Sequence, residues 1–130
     1  MSEENVETVR QLIDAVGRGD ALAALACLDP DLEWIPLRAA TEGAYRGHDG
    51  YERFVAATNE TFETFEPDFE LSDLGEQVLA WGTIRVRGRG SSIETDIPVG
   101  GIFDFRAGRI LRWRDFGSKE KALEAAGLSE

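Results

Sequence analysis

The chain has 130 residues with a single Cys, and its 25 acidic against 14 basic side chains leave a formal charge of −11. A field of that sign repels phosphate backbones and anionic lipid surfaces, so neither nucleic acid nor membrane is expected as a partner. Cys27 alone closes no internal disulfide, the acidic start lacks the basic and apolar parts of an export signal, and no apolar run could span a bilayer. The expectation is a cytoplasmic protein, one domain over residues 1–130.

Val6, Val9, Leu12, Ile13 and Val16 recur at helical spacing and predict an amphipathic helix from about Glu4 to Val16, ended by Gly17 and Gly19. Asp20 is placed to cap a second helix whose buried side would carry Leu22, Leu25 and Leu28, with Pro30 stopping it. Cys27 reads there as a small buried filler. Leu32 to Leu37 reads as a short edge strand, because Pro36 cannot donate to a ladder, and it puts Leu32, Trp34 and Pro36 on one face. Asp49 with Glu52 resembles a capping box and starts a third, long helix at Gly50. Tyr51, Phe54, Val55, Thr58, Phe62 and Phe65 extend its spacing down to Pro67.

From Phe69 the period changes to that of strands. Phe69 begins one, Asp73 to Glu76 turns, and Gln77 to Arg87 forms a long strand. On that strand Val78, Ala80, Ile84 and Val86 share one face and Leu79, Trp81, Thr83 and Arg85 the other. Ile93 to Phe105 follows, with Pro98 and the Gly100-Gly101 pair marking a bend or bulge. Ala107-Gly108 turns into a last strand, on which alternation places Leu111, Trp113 and Asp115 together. A short helix closes at Gly127, where Leu128 can fold back on Leu123. Consecutive strands with tight turns and segregated helices make an α+β layer fold. A sheet curled at its glycines encloses a cavity.

Asp115 is the leading candidate for chemistry. An unpaired carboxylate at the edge of an apolar, Trp-bearing face costs too much to be mere filling, and an apolar recess raises its pKa toward the range a general acid/base needs. Pairing with an Arg or capping of the last helix is the competing reading. His48, the only His, either lines the cavity as a proton donor or bonds local backbone at a helix start. Trp34, Tyr45, Tyr51, Trp81 and Trp113 are candidate ligand-binding aromatics. Arg85 faces either inward, as a partner for Asp115, or outward toward acidic residues of the next strand. One His without clustered carboxylates or thiols predicts no metal, and the lack of a Gly-rich phosphate loop predicts no nucleotide cofactor.

Tyr45-Arg46-Gly47-His48-Asp49-Gly50, together with Arg112-Trp113-Arg114-Asp115 and the run Ala122 to Leu128, resembles the NTF2-like superfamily, and within it the SnoaL-like, polyketide cyclase-like group. The resemblance covers nearly the whole chain. It implies the NTF2-like or cystatin-like architecture: a cone-shaped, curved antiparallel sheet with a mixed edge, wrapped around a long helix. It also implies a homodimer packed through the outer sheet face. An Asp ending the last strand is the acid/base of the cyclases, and Asp115 matches it; His48 matches a His at the cavity mouth. Epoxide hydrolases of the group carry an Arg with an Asp two residues on, whereas Arg85 is followed there by Arg87, and ketosteroid isomerases use a Tyr that this first helix lacks. The expected function is binding of a small apolar molecule, with Asp115, assisted by His48, acting in an isomerase, cyclase or dehydratase. The alternative is a non-catalytic dimeric ligand-binding or protein-interaction module.

Overall fold

A computed structural model describes residues 2–37 and 43–127. Helix α1 is Ser2–Arg18, and α2 is Ala21–Ala26. Strand β1 is Leu28–Ile35, β2 Tyr45–Arg46, and helix α3 Gly47–Thr61. Strands β3 Phe62–Asp73, β4 Gln77–Gly88, β5 Glu94–Arg106 and β6 Arg109–Phe116 follow, and α4 is Lys119–Ala125. All six strands form one curved sheet in the order β2-β1-β6-β5-β4-β3. Only β1 and β6 run parallel; the other pairs are antiparallel. The α+β class and the mixed edge are therefore as expected.

Several boundaries differ from the sequence reading. Asp20 does cap α2, accepting from the Ala23 amide at 3.1 Å. The helix ends at once, however, and Leu28 already belongs to β1, leaving Leu22 81% exposed. Pro30 sits inside the strand. Strand β1 is not the edge, because β2 covers it. Helix α3 begins at Gly47 and not Gly50, with no side-chain cap, and it stops at Thr61, so Phe62 and Phe65 lie on β3. The Gly100-Gly101 pair makes no bulge in the continuous β4–β5 ladder. Ser118 caps α4 through the Lys121 amide, and Gly127 has φ +79° as a helix stop requires. The proposed contact of Leu128 lies outside the described residues.

The core lies on the concave face. Val9, Leu12 and Ala15 of α1 and Tyr51 of α3 pack against Leu32, Trp34, Val78 and Phe103 of the sheet. On the outer face α4 buries Ala122 against Leu79 and Ile102. Strand curvature depends on Gly82, where a Cβ would collide with the Asp68 carbonyl of β3.

Candidate functional site: a carboxyl in an apolar cavity

Asp115 reaches its place through a bulge in β6. Phe105 stands opposite Ile110 while Asp104 stands opposite Arg112, so Leu111 is the extra residue. Ile110, fully buried, therefore takes the inward position that alternation assigned to Leu111. Trp113 and Asp115 remain inward, Asp115 opposite Gly101. The parallel pairing of β1 with β6 sets Trp34 beside Trp113, and their indoles stack at 3.9 Å with an interplanar angle of 9°.

Both indoles address the same carboxyl group. Trp34 Nε1 donates to Asp115 Oδ2 at 3.0 Å, and Trp113 Nε1 donates to Oδ1 at 2.9 Å. These bonds favour the ionised form. Burial opposes them and prevails, pushing the Asp115 pKa from 3.8 to about 7.

The carboxyl lines a cavity of about 190 Å³. Leu12, Ile13 and Val16 of α1 and Phe54 of α3 form one wall. Phe65, Pro67 and Phe69 of β3 form a second, and Ala80, Ile84, Ile97 and Val99 a third. Among the described lining residues Asp115 is the sole charged side chain.

Of the candidate aromatics, Trp34 and Trp113 line this cavity. Tyr45 and Tyr51 do not. They stand behind Trp34, with ring centroids 5.4 and 6.3 Å from it, and burial pushes the Tyr51 hydroxyl up to about 12. Trp81 is on the other face of the sheet, lying across Gly100. Arg85 is exposed there too and pairs with Asp96 at 2.9 Å, so it is not a partner of Asp115. The alternation along β4 already carried this signal, since it set Trp81 and Arg85 opposite Ile84.

His48 follows the second of its two readings, a backbone bond at a helix start, although the carbonyl it meets is not a local one. It occupies the first turn of α3 and its Nε2 donates to the Leu28 carbonyl at 2.8 Å, tying α3 to the start of β1 rather than lining the cavity. Sequence reasoning missed the apolar lining from α1, β3 and β5. Among the described residues no three His, Cys, Asp or Glu side chains gather as a metal site, and no helix is long and apolar enough to cross a membrane.

The sequence profile of the SnoaL-like domain matches residues 9–113. The chain belongs to the SnoaL-like family. Solved structures agree on the fold. An NTF2-like protein of unknown function from Burkholderia pseudomallei is 24% identical over 93% of this chain and 95% of its own, with a TM-score of 0.78. TerC, co-crystallized with polyporic acid, is 21% identical over 93% and 96%, also at 0.78. An LEH-like epoxide hydrolase from M. tuberculosis is 21% identical over 89% and 84%, at 0.73. Identities this low carry the fold of this SnoaL-like chain and not an activity. A comparison with curated proteins gives no match.

Proposed function

We propose that this SnoaL-like protein binds a small apolar molecule in the cavity and uses Asp115 as general acid/base on it. The reaction class is proton transfer that isomerises, cyclises or dehydrates an apolar cyclic or carbonyl-bearing substrate. One observation carries the reading: a carboxyl with a pKa near neutrality, held at both oxygens, is the charged group of an apolar cavity. Near pH 7 both its forms are populated, so it can remove a proton from carbon and return it to another atom of the same substrate. His48 takes no part in this reading. Asp115→Asn should abolish turnover while leaving ligand binding within a few-fold; turnover that survives the substitution overturns the proposal.

A second reading, non-catalytic ligand binding, is favoured by a separate observation. Among the described residues both indole donors of the cavity are engaged by Asp115, so the side-chain donor left for a developing oxyanion is the protonated carboxyl of Asp115, which cannot serve as the base at the same time. Under it Asp115→Asn changes affinity alone. We also infer a homodimer through the outer sheet face bearing Trp81 and Arg85, and sedimentation showing a monomer at high concentration would refute it.

A further inference from the structure

We propose that the cavity selects a molecule of a single ring, without negative charge, that presents one hydrogen-bonding oxygen to Asp115. This deepens the ligand-binding part of the reading above and does not depend on the acid/base role.

Size is the first ground. The volume of about 190 Å³ is a little above the ~150 Å³ of an apolar protein cavity that accepts benzene. It falls short of the roughly 300–1,000 Å³ that buries larger, drug-sized ligands. Its sheet wall resists displacement, because β4 and β5 pair without interruption along the stretch carrying Ala80, Ile84, Ile97 and Val99. Phe65 is braced edge-on by Phe54 at 6.1 Å.

Chemistry is the second ground. Every described wall except the Asp115 end is hydrocarbon or aromatic, so a second polar group on the ligand would be buried without a partner. Among the described residues no cationic side chain lines the space to hold an anion, and Asp115 repels one. Gly101 supplies the room beside the carboxyl. A Cβ there would stand 3.2 Å from Trp113 Nε1 and 3.1 Å from the Phe103 ring. The polar end of the ring belongs over Gly101, and its apolar end toward Phe65 and Phe69.

The three Trp indole N–H signals test this by NMR titration. Cyclohexanone and phenol are expected to move the Trp34 and Trp113 signals and leave Trp81 still. The two-ring ketone 2-decalone should bind at least about tenfold more weakly, the cost of overfilling a packed cavity. A four-ring steroid ketone and benzoate should not bind. Ile97→Ala should restore 2-decalone, and Gly101→Ala should weaken cyclohexanone. Decalone or the steroid binding as tightly as cyclohexanone overturns the inference. So does a failure of every one-ring probe to shift Trp34 and Trp113 at its solubility limit. If the wild-type protein binds cyclohexanone but does not speed exchange of its α-protons with deuterated water, the acid/base reading fails and this inference stands.

Discussion

Two opposed influences act on the Asp115 carboxyl, and the larger is burial. The two indole bonds restrain the rise in pKa without reversing it. Trp113→Phe keeps the ring and removes one donor, so the pKa should climb further above about 7. A carboxyl carbon NMR titration reads this directly, and a fall in pKa would show that Trp113 acts on Asp115 by some means other than its hydrogen bond. Asp115, Trp113 and Trp34 were legible beforehand because strand alternation assigns a face with no knowledge of the partner strands. His48 was not, since its acceptor is a carbonyl on another element.

Bulges explain which elements the sequence misreports. Phe62 and Phe65 are three apart, a spacing that reads as a helical turn. On β3 a register shift between Phe62 and Thr64 gives the same spacing on a strand, with the rings 6.2 Å apart. Leu111 makes the matching shift in β6 and moves the inward position to Ile110. The turn before it shows a local cost. Ala107 and Gly108 both have positive φ, 52° and 81°, the conformation a two-residue hairpin prefers, yet alanine adopts it reluctantly. Ala107→Asn should stabilise the fold by about 0.5–1 kcal/mol, measured by urea unfolding; a loss of stability would contradict this account of the turn.

At the scale of the whole molecule the same carboxyl makes stability fall between mildly acid and neutral pH. Its folded pKa, about 7, lies above the unfolded value of 3.8, so the native state holds the proton more tightly and stability falls as pH rises between them. The full loss is at most about 4 kcal/mol. Asp29 works in the opposite direction. Its bonds with Arg106 hold its pKa below 3.8, so that contribution is present above this value and is lost in acid. Urea midpoints taken near pH 5 and near pH 8 should drop across that interval for the wild type and stay level for Asp115→Asn; equal drops would place the cause elsewhere.

Apolar spacing and alternation, which act between near neighbours in the chain, were enough to give the class of fold, most elements, and the carboxyl at the end of the last strand. The family resemblance rests on more than that, on the residues around His48 and Asp115 taken as motifs. Only tertiary structure decided that β1 lies parallel to β6, so that two indoles far apart in sequence meet at one carboxyl. It likewise drew His48 to a backbone carbonyl and left a cavity of about 190 Å³. The reason is physical: pairing between distant strands and the volume left between packed layers arise from long-range contacts, and no local period records them.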